Sequence, residues 1–187
     1  MRTLSSFTFI SLNGYFKGEN EDTSWHRHGD EEGKYSEESL QSQNVLLFGR
    51  TTYEMMRHFW PSAMAAQLFP KVAEGMNKTE KIVFSNTLKT ADWNNTTLMR
   101  GNIVEQMKQL KETPGNDLTI LGSGSIVTQF TEAGLIDHYQ IMIDPVALGR
   151  GETLFSGIQH KLDLKLTSSK IFESSGVILL SYERIKS

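Results

Sequence analysis

The feature that most constrains this chain is an alternation of short apolar runs with helix-patterned segments. Residues 4 to 11, rich in Phe, Ile and Ser, read as a first strand. Asn44 to Phe48, Lys81 to Ser85 and Leu118 to Leu121 are compact apolar runs of the kind buried on both faces of a sheet. Helical spacing appears between them. Thr51 to Phe59 carries Tyr53, Met56 and Phe59 at that spacing, with Pro61 as a stop. Asn102 is placed to cap a helix with Ile103, Val104, Met107 and Leu110 on one face. Ile126 to about Ala133 forms another, punctuated by Gly134, and Tyr35 to Gln43 fits one more. Such alternation predicts an α/β domain with a mostly parallel sheet. The tail breaks the pattern: Tyr139 to Ile143, Leu164 to Phe172 and Val177 to Ile185 read as strands, the last two joined by Glu173-Ser174-Ser175-Gly176 as an antiparallel hairpin.

Composition narrows the function classes. The 187 residues suit one domain at roughly 150 residues per domain, and no linker, repeat or low-complexity tract divides them. Nineteen Lys plus Arg against 22 Asp plus Glu give a net charge of −3, so no basic excess points to nucleic acid. The absence of cysteine removes disulfide scaffolds, Cys zinc sites, Fe–S clusters and thiol catalysis, and fits a reducing, cytoplasmic setting. Runs such as Val177-Ile178-Leu179-Leu180 are far shorter than the ~18 residues of a membrane helix, and Met1 to Phe7 passes into strand alternation without the apolar centre of a targeting segment.

Two strand-to-helix joints are built from small residues. Backbone amides at a helix start, left open by such residues, attract anions because unpaired donors and the helix dipole act together. Gly122-Ser123-Gly124-Ser125 supplies a G-x-G, but Val127 stands at the third glycine of the dinucleotide fingerprint, so the segment reads either as a tight turn or as a phosphate cradle. At Gly49-Arg50-Thr51-Thr52 a fixed cation joins helix-start amides and hydroxyls. Arg50 is either a solvated side chain, mildly unfavourable to the dipole, or a ligand for a phosphate monoester.

The polar stretch from Asn13 to Gly33 is long enough to be a functional loop. It holds Trp25-His26-Arg27-His28-Gly29-Asp30-Glu31-Glu32. An i, i+2 histidine pair with Asp30 lacks further ligands at set spacing, so no metal is expected. The acidic run is either a solvated helix start or contains one carboxylate beside the indole, in a partly apolar setting that would raise its pKa and let it handle a proton. His58, His138 and His160 are isolated, and Met55, Met56, Met64 and Met76 read as core filler.

Together these segments resemble the dihydrofolate reductase-like family, in the branch shared with the reductase (C-terminal) domain of the bifunctional riboflavin-biosynthesis deaminase/reductase. The resemblance rests on Ser11-Leu12-Asn13-Gly14-Tyr15-Phe16, Trp25 with Asp30, Leu47 to Glu54, Lys81 to Asn86, Leu121 to Ser125, and Pro145 to Gly151 before Leu154-Phe155, all in family order. It implies a three-layer α/β/α domain over residues 1–187 with a mostly parallel mixed sheet. It also implies NADPH as cofactor. Gly49, Arg50, Thr51 and Thr52 match the segment holding its phosphates, with Arg50 on the 2′-phosphate. Ser85 and Asn86 match the adenosine-phosphate flank, and Gly122, Ser123, Gly124 and Ser125 the turn against the pyrophosphate and nicotinamide side.

Asp30 matches the acid that binds and supports protonation of a pterin, and Trp25 the indole beside it. The implied reaction is hydride transfer to an electron-poor C=N or C=O carbon of a small heterocycle, either a 5-amino-6-(5-phosphoribosylamino)uracil-type pyrimidine or a pterin. The alternative is a non-catalytic nucleotide-binding paralogue of the same fold. Three departures from the branch stand out: Asn13 replaces the usual Asp, Ser123 replaces the second of two glycines often joined by a cis peptide, and the deaminase zinc motif is missing. Relatives with one such domain tend to pair, and the hairpin offers a free edge, so a homodimer is expected.

Overall fold

A computed structural model describes residues 1–185. Its main sheet has eight strands in the order β5-β4-β3-β6-β1-β7-β10-β9. Six of them, β1 (Leu4–Ser11), β3 (Val45–Gly49), β4 (Lys81–Phe84), β5 (Thr96–Met99), β6 (Leu118–Leu121) and β7 (His138–Asp144), pair in parallel. The C-terminal strands β9 (Leu164–Phe172) and β10 (Val177–Arg184) run antiparallel at one edge, as the hairpin pattern predicts.

Side-chain alternation along β3 shows why two helix layers are needed. Val45 and Leu47 enter one apolar cluster with Met107 of α5 (Ile103–Glu112) and Ile126, Val127 and Phe130 of α6 (Gly124–Glu132). Leu46 and Phe48 enter another, with Tyr53 of α2 (Arg50–Phe59) and Val72 and Met76 of α4 (Pro70–Lys78). A strand with both faces apolar must be covered twice, which gives the three-layer α/β/α architecture. Leu47 is fully buried, so Leu47→Ala would cost about 2–5 kcal/mol.

The stretch from Asn13 to Gly33 is more ordered than its composition suggests. Tyr15–Gly18 forms β2, which pairs antiparallel with β8 (Gly151–Thr153) as a separate ribbon. The next helix, α1 (Asp30–Gln41), begins at Asp30, five residues before the expected start at Tyr35. Its acidic first turn favours that earlier start, because Asp30, Glu31 and Glu32 lie on the positive end of the dipole. Neither the six-residue α3 (Ala63–Leu68) nor α4, which buries Val72, Ala73 and Met76, is among the helices expected from the sequence. Two of the four methionines read as core filler, Met55 and Met64, are exposed, whereas Met76 is buried. No helix among the described residues is long and apolar enough to cross a membrane.

Candidate active site

Neighbouring strands β3 and β6 send the chain in opposite directions. From β3 it passes through α2 to β4 on one side, and from β6 through α6 to β7 on the other. Such a switch point leaves a crevice at the strands' carboxyl ends. Here it is a cleft of about 410 Å³ lined by Gly49, Arg50, Thr51, Thr52, Ser85, Asn86, Ser123, Gly124 and Ser125. These are nine of the ten residues the resemblance implies for the cofactor. The tenth, Gly122, forms the turn beneath: its amide donates to the Phe7 carbonyl at 3.0 Å, and a Cβ there would come 3.6 Å from Thr52 Cγ2.

One hydroxyl joins the two joints. Ser123 Oγ accepts from the Gly49 amide at 2.9 Å and donates to the Leu121 carbonyl at 3.1 Å. Gly122 and Ser123 both sit at left-handed φ, +55° and +58°, and no peptide bond among the described residues is cis. Neither α2 nor α6 carries an acidic residue in its first turn, so both positive helix ends face the cleft unneutralised.

Cations are present but engaged. Arg50 lines the cleft and pairs with Glu54 at 2.9 Å, both side chains about half exposed. Lys17, in β2, meets Glu21 at 2.8 Å and Glu152 at 2.9 Å. Burial acts to lower its pKa, and the two carboxylates outweigh that, leaving it above the ordinary lysine value. Phe16, beside it, presses on Gly124: a Cβ on that glycine would lie 2.5 Å from Phe16 Cζ. Phe16, Lys17, Glu21 and Glu152 gave no signal in the sequence as cleft residues, because their place depends on the β2–β8 ribbon. At the far end the Ser85 hydroxyl accepts from the Leu88 amide at 2.9 Å, and Asn86 Oδ1 from the Gly101 amide at 2.7 Å.

Trp25 and Asp30 do not line this cleft. Trp25 donates from its indole to the Asp22 carbonyl at 3.0 Å and packs edge-on against Phe9. Asp30 is exposed at the first position of α1, so the apolar setting considered for it is absent and the acidic run is a helix start. Its two neighbours are structural. Glu31 Oε2 accepts from the Ser174 amide at 3.1 Å and hydroxyl at 2.9 Å, which hold its pKa below the ordinary value. Glu32, buried, accepts from the Gly29 amide at 3.1 Å and from the Ser175 hydroxyl. Asp30 alone of the three makes no side-chain hydrogen bond among the described residues.

The buried acid near the indole is Asp144, at the end of β7. Its Oδ2 lies 2.7 Å from His26 Nδ1, and its Oδ1 accepts from the Arg27 amide at 2.8 Å. His26 stacks flat on Phe9 at 3.9 Å and meets His28 edge-on at 4.6 Å. Burial, and then His26, lower the pKa of His28. Nothing in the sequence links positions 26 and 144. Among the described residues no group of three or more His, Cys, Asp or Glu is arranged to hold a metal ion.

Six parallel strands between two helix layers, with an antiparallel hairpin at one edge, make an α/β fold of the dihydrofolate reductase-like class, as the structural likenesses below show. Within that class the chain belongs to the RibD C-terminal domain family, whose model matches residues 2–179. It is 28% identical over 173 residues to uncharacterized protein YyaP of Bacillus subtilis (strain 168), covering 92% of this chain and 90% of YyaP. A candidate riboflavin biosynthesis protein from Shewanella sp. PV-4 superposes with a TM-score of 0.75 at 21% identity, covering 98% of this chain and 99% of that one. Dihydrofolate reductase from Enterococcus faecalis, complexed with NADP(H) and RAB-propyl, superposes with a TM-score of 0.63 at 17% identity, covering 98% and 97%. The two structural likenesses show the fold.

Proposed function

We propose that residues 1–187 act as one NADPH-dependent reductase domain for a small heterocycle, either a 5-amino-6-(5-phosphoribosylamino)uracil-type pyrimidine or a pterin. The supporting observation is that nine of the ten residues matched to cofactor contacts, drawn from the ends of β3, β4 and β6, line one cleft. The donor set suits a dinucleotide phosphate. Two helix starts without acidic first turns and the Ser123-Gly124-Ser125 segment suit the pyrophosphate, and Arg50, Ser85 and Asn86 suit the 2′-phosphate end. The nicotinamide, when bound, supplies a hydride. The chain's own residues shape its site: Gly124, lacking a Cβ, lets the Phe16 ring lie against the start of α6, and the two together form one wall of the cleft.

On the substrate side, Asp30 offers a carboxylate without a side-chain hydrogen bond among the described residues, and Trp25 an indole edge. The reading is tested by stopped-flow oxidation of NADPH with 7,8-dihydrofolate and with phosphorylated aminopyrimidines. Turnover with either supports it. The exposure of Asp30 favours a second reading, a paralogue that binds nucleotide without turnover. Micromolar NADPH binding with no oxidation in any mixture selects that one.

The same reading includes a cytoplasmic homodimer. Strand β9 is a sheet edge, and Leu166 and Ile171 on it are 52% and 58% exposed. Sedimentation at one protomer's 21.2 kDa would remove the dimer, and fractionation of cells would test the location.

A further inference from the structure

From the geometry at the carboxyl ends of β1 and β7 we infer that His26, oriented by Asp144, is the proton donor to the substrate. This deepens the proposed reductase reading and rests on it. Asp144 is fully buried and holds the Nδ1 side of the imidazole at 2.7 Å, while its second oxygen is taken by the Arg27 amide. A carboxylate so placed fixes the ring's orientation and leaves Nε2 to act. Among the described residues Nε2 has no hydrogen-bond partner, and it is not one of the buried unpartnered atoms, Thr8 Oγ1, Gln106 Oε1 and Arg184 Nε. The residue as a whole is 8% exposed, so Nε2 keeps a small accessible area.

His26 and Asp144 lie outside the lining of the cofactor cleft and are related to it along β1. Phe7 of β1 accepts the Gly122 amide, and Phe9, two residues further along the same strand, carries the His26 ring. About 7 Å of strand rise separates them, which is the scale of one ring against another. Around His26 stand Phe9, Trp25 and His28, with Phe69 at 6.3 Å from His28, so an aromatic wall faces a heterocyclic substrate. The charged and titratable groups around the ring are Asp144, His28, Arg27, whose guanidinium donates to the Ser175 carbonyl, and Glu32, whose field reaches His28. In the step, a hydride and its electron pair add to the carbon of a ring C=N. The π pair moves to nitrogen, nitrogen takes the proton from His26 Nε2, and the imidazole regains one from water. The dihydronicotinamide is oxidised and the imine reduced.

The test uses the full chain and three variants, His26→Gln, Asp144→Asn and His58→Gln. In the unliganded wild type the imidazole 1H–15N NMR spectrum should show the His26 Nδ1 proton held in a hydrogen bond, and Asp144→Asn should abolish that signature. Single-turnover NADPH oxidation should fall at least tenfold in His26→Gln, with NADPH affinity within twofold of wild type, and the high-pH loss of rate should disappear. His58→Gln, at an exposed histidine outside the site, should keep that limb. A His26 Nδ1 without a hydrogen-bonded proton in the folded wild type overturns the inference even if no variant folds. So does an unchanged pH profile in His26→Gln. Loss of NADPH binding in the wild type instead overturns the reductase reading, which separates the two failures.

Discussion

Ser123 Oγ stands 2.9 Å from the Gly49 amide, so one hydroxyl fastens the start of α2 to the start of α6 across the cleft. Ser123 also occupies left-handed backbone, where a side chain costs about 1–3 kcal/mol. Ser123→Ala keeps that cost and leaves a buried amide unpaired, so it should lower stability by about 1–3 kcal/mol. Ser123→Gly also loses the bond but relieves the backbone, so its loss should be about 1 kcal/mol smaller. Urea denaturation of both variants checks the order, and equal losses would contradict the assigned role of the hydroxyl.

Arg50 is assigned to the 2′-phosphate that distinguishes NADPH from NADH. A charge-assisted hydrogen bond contributes ~1.5–3 kcal/mol, so Arg50→Ala should reduce the preference for NADPH about tenfold or more while NADH affinity changes little. Glu54 competes for the same guanidinium at 2.9 Å, so Glu54→Gln should modestly strengthen NADPH binding. Paired titrations of both cofactors measure each.

Phe16 and Gly124 form a contact with no spare volume, since a Cβ on Gly124 would meet the ring at 2.5 Å. Gly124→Ala should push the ring aside and weaken NADPH binding at least tenfold. Adding Phe16→Ala should recover part of that loss, because residues in contact do not act additively. A strictly additive double-mutant cycle would show that the two side chains do not share the space.

Much of this was legible in the sequence. The runs at Asn44 to Phe48, Lys81 to Ser85 and Leu118 to Leu121 became β3, β4 and β6, and Asn102 caps α5 by accepting from the Glu105 amide at 3.2 Å. Local pattern sufficed because β3 and β4 are buried on both faces, β6 buries Leu118 and Ile120, and α5 buries one face. The His26–Asp144 pair was not legible, because its partners are 118 positions apart and only the path of β1 and β7 joins them. Asp30 and Trp25, adjacent in the expected scheme, prove to have different surroundings: one is solvated on the dipole, the other packed on Phe9.

Lys81 is buried, its ammonium donating to the Met76 carbonyl at 2.8 Å and the Thr79 carbonyl at 2.5 Å, with Trp93 4.6 Å away. Burial pushes its pKa down from 10.5 to about 8. Between those values the unfolded chain holds the proton that the folded protein has released, so this residue makes stability rise as pH increases from about 8 to 10.5. Below pH 8 both states are charged and the contribution is flat. Lys81→Met should remove that rise, and denaturation midpoints of wild type and variant across pH 7 to 11 would reveal it as a difference between the two curves.

The central claim is that the cleft between α2 and α6 holds NADPH. Titration of the full chain with NADPH and with NADH, followed by quenching of tryptophan fluorescence, tests it most directly. The account predicts saturable binding of one NADPH per chain, at least tenfold tighter than NADH, with that preference reduced in Arg50→Ala. No saturable binding, or equal affinity for the two cofactors in the wild type, would contradict it.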